Sequence, residues 1–299
     1  MGGFNCMKSF SSMHPVVLFT YYVTVIFITM FMMHPAILVL SLLGSLIFFS
    51  VLVPFKQFMR DIIFYLFVFL LIALTNPLFV HNGETILFFL NDNPVTKEAI
   101  IYGIVIGTML VAVIFWSKSY TLLMTSDKFI YLFGKVIPKL SLIISMAIRF
   151  IPLFRLQMKK VNQTQKTLGI YTSKSVTDRI LSGVRTFNSL LTWSLENSIT
   201  QADSMKARGY GLKGRTNFSL FKWNMRDYSL LLIIIATFSS VMILNVRGIY
   251  TFNYYPVVSG LNFSIKHLFE LGIIFILMIL PTLVEVKENL QWYYFKSKI

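Results

Sequence analysis

Few side chains in this sequence could carry covalent or metal chemistry, and they do not converge. The four histidines, His14, His34, His81 and His267, are scattered, and none stands at ligand spacing from a carboxylate. The twelve Asp and Glu residues offer no pair placed for general acid-base work. Cys6 stands alone, which excludes an internal disulfide. Two glycine patterns overlap at 209–216. Gly209-Tyr-Gly211-Leu-Lys-Gly214 matches a dinucleotide fingerprint, and Gly209 to Gly214 followed by Arg215-Thr216 is a phosphate-binding loop with arginine where lysine belongs. Both motifs need a strand before them and a helix after them, so that a helix N-terminus meets the phosphates. Here a helical pattern precedes, and only the linker Phe218-Ser-Leu-Phe-Lys-Trp223 follows. No nucleotide, metal or other cofactor is expected to bind this chain.

What remains is recognition chemistry, centred on Arg208. A guanidinium presents a planar fork to a partner's carboxylate. The plainer role for the same residue is capping, since cations in the last turn favour the negative end of the helix dipole. The element that positions it reads clearly. Residues 178–206 contain no proline, and Leu181, Val184, Phe187, Leu191, Leu195, Ile199, Ala202 and Met205 recur at steps of three or four, the period of one helix face. Thr177 or Asp178 can cap the start. Gly209 and Gly211 end it, because glycine enters the left-handed conformation that helix C-termini often need.

The rest of the chain is a greasy frame for this polar passage. It has 299 residues, 56% hydrophobic and 13% charged, with a mean hydropathy of +0.71. That composition predicts an all-α polytopic membrane protein. Six apolar runs of about 18–20 residues can cross the hydrocarbon: 16–33, 36–53, 62–80, 99–116, 229–246 and 265–284. The first reads as a retained span. Between Arg155 and Arg226 lie thirteen Lys and Arg against Asp178, Glu196 and Asp203, a large share of the chain's net +15. By the positive-inside rule this segment is cytoplasmic, as are both termini, Lys56 and Arg60, while Glu84 and Asp92 lie outside. The rule accounts for the basic surplus with no nucleic acid partner. Residues 139–168 are expected to form one helix, kinked at Pro152, that starts along the inner leaflet and runs into the cytoplasm. Glu270, one turn inside the last span, is either functional or reaches headgroups. Glu285 is expected to be interfacial. Three regions follow: a bundle of about four spans at 1–138, a basic helical domain at 139–226, and a C-terminal pair with a tail at 227–299.

Ala202-Asp-Ser-Met-Lys-Ala-Arg-Gly-Tyr-Gly211 resembles the transmembrane T component of energy-coupling factor (ECF) transporters, and Arg149-Phe-Ile-Pro152 fits the proline-bearing helix of that family. The resemblance covers most of the chain. It implies a multi-pass subunit of a bacterial or archaeal cytoplasmic membrane that does no chemistry itself. It implies two ABC-type ATPases and one small substrate-binding membrane protein, the S component, as partners for uptake of a vitamin or a transition-metal ion. The family has two Ala-Arg-Gly-like motifs at the ends of coupling helices, each docking on one ATPase. Ala207-Arg208-Gly209 matches the second. The first falls at Thr167-Leu168-Gly169, where Leu168 replaces the arginine and Lys166 is the nearest cation. Glu196, Asp203 and Lys206 are expected to support the second helix. The apolar face from Leu181 to Ile199 is expected to pack on the crossed coupling helix and on the S component, or only on this protein's own helices. Two late spans stand where many members have one. The rival class is a membrane enzyme acting on a lipid-linked substrate, with the basic loop binding headgroups. It would need reactive residues at the inner interface, and the sequence offers none.

Overall fold

The computed structural model describes residues 10–90, 93–134, 137–169, 176–210, 212, 221–248, 250, 252–260 and 265–296. Cys6 and residues 213–220 of the glycine-rich loop lie outside them. Nearly everything described is helix. The chain divides into two units, one of Met1–Lys128 with Phe221–Ile299 and one of Phe129–Leu220.

The first unit begins with a 3₁₀ turn, Phe10–Ser12, and continues through α1 (Pro15–Phe31), α2 (Pro35–Leu52), α3 (Phe55–Phe79) and α4 (Lys97–Leu123). Proline opens α1 and α2 at a position where its missing N–H costs nothing. His14 caps α1, its Nδ1 accepting the Val16 N–H at 3.3 Å. Pro54 ends the α2 run and stands at the N-cap of α3. Thr96 caps α4, its hydroxyl accepting the Ala99 N–H at 3.3 Å. Between α3 and α4, strands β1 (Ile86–Leu90) and β2 (Asn93–Thr96) form an antiparallel hairpin. Helix α5 (Ser126–Gly134) spans the boundary between the units. The first unit closes with α8 (Met225–Val246) and α9 (Ile265–Lys296).

Helix α1 is the centre of this unit. Val17, Leu18, Tyr21, Tyr22, Val25 and Ile28 are all buried, with Phe48, Trp116, Ile274 and Leu277 from α2, α4 and α9 in the same core. Trp116 donates its indole N–H to Ser41 Oγ at 3.1 Å, and Ser41 meets Thr29 Oγ1 at 2.7 Å. Each polar group so enclosed needs such a partner in an apolar interior. Helices α3 and α4 approach closely because Gly103 and Gly107 face Ala73 and Phe69; a Cβ on Gly103 would come within 2.7 Å of the Ala73 carbonyl oxygen. The outer face of α3 stays exposed at Phe64, Phe67, Leu71, Leu74 and Phe79.

Among the described residues, six helices are long and apolar enough to cross a membrane: Pro35–Leu52, Phe55–Phe79, Lys97–Leu123, Lys139–Thr167, Met225–Val246 and Leu268–Trp292. This set differs from the expected six. Pro15–Phe31 has 17 residues, about 25 Å at 1.5 Å per residue, and falls just short. Lys139–Thr167 joins because its apolar first half is continuous through Pro152.

Candidate functional site

The second unit carries α6 (Pro138–Thr167) and α7 (Val176–Ala207). The second begins two residues before Asp178, so Thr177 and Asp178 lie within its first turn. The two run antiparallel where they touch. Ser182 Oγ donates to Gln165 Oε1 at 3.0 Å, Thr186 Oγ1 reaches Asn162 Oδ1 at 3.1 Å, and the Phe154 and Trp193 rings meet edge-on at 5.6 Å. As the chain advances along α7 it retreats along α6.

The seam between them is polar. Ser182, Thr186 and Gln165 are buried, and Thr186 Oγ1 also lies within reach of Gln165 Oε1 and the Ser182 carbonyl. At about 100° per residue, Ser182, Thr186, Ser189 and Trp193 form one face of α7. Leu181, Val184, Phe187, Leu191, Leu195 and Ile199 form the opposite one, and all six are exposed. This corrects the expectation that the apolar stripe packs on the crossed helix. Hydroxyls and amides hold the pair together, and the stripe is left open.

Both helices end in the same way. Gly169 and Gly209 have φ of 70° and 77°, the left-handed region. The Gly209 N–H bonds to the Lys206 carbonyl at 2.9 Å and the Tyr210 N–H to the Met205 carbonyl at 3.0 Å, a complete Schellman motif. At the other end the Gly169 N–H bonds to the Lys166 carbonyl at 3.2 Å, and the Leu168 N–H to that of Thr164 at 3.0 Å. Leu168 and Arg208 are thus equivalent: each is the residue before the glycine that turns the chain away.

The geometry bears on presentation against capping. Arg208 is exposed, and its guanidinium makes no hydrogen bond or ion pair among the described residues. Ala207, Glu196, Asp203 and Lys206 are also exposed on the same helix. At the other end Thr167 bonds back to the Thr164 carbonyl at 2.8 Å, and Leu168 is 68% exposed. Lys166 joins Arg155, Met158, Lys159, Asn162 and Gln163 around an open basic groove of about 440 Å³.

One ion pair was not foreseen. Lys118 Nζ pairs with Asp61 Oδ2 at 2.7 Å and sits 4.8 Å from the centre of the Tyr65 ring, which ties α3 to α4. Glu285 is buried rather than interfacial, accepting the Phe10 N–H at 2.8 Å. The Glu270 carboxylate keeps one oxygen enclosed; burial, and after it the charge of Glu270, pushes the Tyr250 phenol above its ordinary range. No group of three His, Cys, Asp or Glu able to hold a metal occurs among the described residues.

Residues 9–220 match the family described as cobalt transport protein, CbiQ. The energy-coupling factor transporter transmembrane protein EcfT of Listeria innocua is 30% identical over 204 residues, covering 64% of this chain and 76% of that protein. Its counterpart from Staphylococcus aureus is 26% identical over 62% of this chain and 73% of its own length. That of Bacillus subtilis is 26% identical over 62% and 74%. The family match takes in α1 to α7 and both glycine-terminated helix ends, and the chain belongs to the CbiQ family as a membrane-spanning T component of energy-coupling factor transporters.

Proposed function

We propose that this chain couples two ABC-type ATPases to one small substrate-binding membrane protein, in an importer for a vitamin or a transition-metal ion. The observation that carries the reading is the matched pair of helix ends. From Ser182, opposite Gln165, α7 runs 26 residues to Arg208, or about 40 Å along its axis. The two ends therefore stand far enough apart for each to serve a separate ATPase. The exposed stripe from Leu181 to Ile199 offers an apolar face to the substrate-binding protein. ATP-driven closure of the ATPases would displace the helix ends, and the stripe would carry that displacement to the partner.

Charge sets the orientation in this reading: Arg155 to Arg226 and both termini face the cytoplasm. ATP chemistry belongs to the partners. The near-phosphate loop at 209–216 follows a helix where a binding loop needs a strand. Reconstitution tests the reading. Vesicles with this chain, its ATPases and its substrate-binding protein should take up substrate on ATP addition, and the purified chain should hydrolyse none. Robust hydrolysis by the chain alone, abolished by Lys213→Ala or Arg215→Ala, contradicts it.

A further inference from the structure

The segment at residues 10–14 is held by three buried charged side chains. Its Phe10 N–H donates to Glu285 of α9 at 2.8 Å, and its His14 N–H donates to Asp227 of α8 at 3.1 Å. Lys128 of α5 reaches the Ser11 hydroxyl at 2.7 Å, the Ser11 carbonyl oxygen, and the Leu123 carbonyl at the end of α4 at 3.0 Å. The His14 imidazole stacks on Trp223 at 3.9 Å, and Trp223 stacks on Tyr228 at 4.9 Å. Asp227 also accepts the Asn224 N–H at 3.0 Å and closes a capping box there. Glu285, Asp227 and Lys128 are 1%, 3% and 7% exposed. Charges so enclosed are costly unless satisfied, so a segment that satisfies all three is held hard.

The chain leaves the first unit at Lys128 and returns at Phe221. Lys128 is the last residue before the departure, and Trp223 lies two residues beyond the return. Both grip the same five-residue segment. We infer that residues 10–14 are the anchor of the coupling unit, a fixed point that holds both chain connections to residues 129–220 against the membrane bundle. Lys128 and Trp223 are its positioning residues. An unanchored connection would absorb displacement of α6 and α7 as slack. Held at both ends, it passes that displacement to α4, α8 and α9.

This inference rests on the coupling function proposed above, and the test separates the two. In the assembled transporter, Lys128→Met keeps the side chain's bulk but removes its three donors, and Trp223→Leu removes the stack while leaving every buried charge paired. Both should retain the ATPases on purification and hydrolyse ATP at near the wild-type rate, while substrate taken up per ATP falls about fivefold or more. Lys128→Arg should restore most of the loss. In the chain alone, hydrogen exchange at 129–134 should quicken in Lys128→Met, with α7 unchanged. Wild-type uptake per ATP in both variants, or loss of ATPase binding, overturns the anchor. Should Lys128→Met fail to fold, Trp223→Leu decides. If the wild-type assembly shows no ATP-driven uptake, the coupling function fails, and hydrogen exchange alone then decides whether the segment holds the connections.

Discussion

Leu168 and Arg208 occupy the same backbone position at the ends of two different helices, each one residue before a glycine held at positive φ. The stereochemistry is shared and the side chains are not. One end offers a guanidinium and the other an apolar tip with Lys166 two residues behind it. The ends are equivalent in shape and unequal in chemistry, so under the proposed function the two ATPases should be gripped by different forces.

The first expectation follows from that inequality. Leu168→Asp should weaken binding of the ATPases with little dependence on salt, because an apolar contact is lost and a charge desolvated. Leu168→Arg should strengthen binding at low ionic strength and lose the gain at high salt, as an exposed ion pair does. Co-purification of the ATPases with each variant at low and high salt reads both. A Leu168→Asp chain that binds as well as the wild type removes this end from the docking surface.

The glycines themselves are testable. Gly209→Ala puts a Cβ into a left-handed residue, at a cost of about 1 kcal/mol, and 3.1 Å from Leu212 Cδ1. Gly209→Asn, which tolerates that conformation, should do better than Ala at equal or greater bulk. The measurement is ATPase affinity, with helix content followed in parallel by circular dichroism. Alanine outperforming asparagine would mean that the left-handed turn does not matter for docking.

The two faces of α7 should respond in opposite ways. Thr186→Val removes a buried hydroxyl that reaches Asn162, Gln165 and the Ser182 carbonyl, and should destabilise the α6–α7 pair by about 0.5–1.5 kcal/mol. Leu191→Asp and Leu195→Asp alter exposed positions and should leave the isolated chain's stability within about 0.5 kcal/mol. The same two variants should lose the substrate-binding protein. Thermal unfolding of the chain and co-purification of that partner separate the outcomes, and a stripe variant that unfolds early would show that the stripe packs inside this protein.

Sidedness can be read directly. In a Cys6→Ser background, single cysteines at Arg60, Lys166 and Arg215 should react with an impermeant maleimide from one side of the membrane, and one at Glu84 from the other. Labelling of Glu84 and Lys166 from the same side overturns the charge-based orientation.

The long helices were legible because each apolar run is bounded by proline or by charge, as at His34-Pro35 and Pro54. The end of α7 was legible because glycine at 209 follows a clear 3.6-residue period. The partner of that period was not legible. Apolar spacing marks a face but not what covers it, and here the face toward α6 is Ser182 and Thr186, which carry no hydropathy signal. Their spacing at i and i+4, in register with Asn162 and Gln165 three apart, was the available clue. Glu285 was misjudged, and Asp227 passed over, for another reason. Their partners, the N–H groups of Phe10 and His14, lie 275 and 213 residues away in sequence, and nothing local in a carboxylate announces such a contact. Separation in sequence, though shorter, also hid the pairing of Asp61 with Lys118.

The central claim is that Arg208 docks an ATPase, and charge reversal tests it most directly. If its guanidinium meets a carboxylate in a desolvated groove, Arg208→Glu sets like charges together. Truncating one partner of such a pair costs about 2–5 kcal/mol, and reversal should be no milder. Arg208→Lys should recover only part of the binding, because a lysine lacks the planar fork. The measurement is the amount of ATPase retained by each purified variant, with ATP-driven uptake by the assembled complex. The account predicts that Arg208→Glu loses both while the chain stays folded and in the membrane. Wild-type ATPase retention and wild-type uptake by Arg208→Glu would contradict it and leave Arg208 as a helix cap.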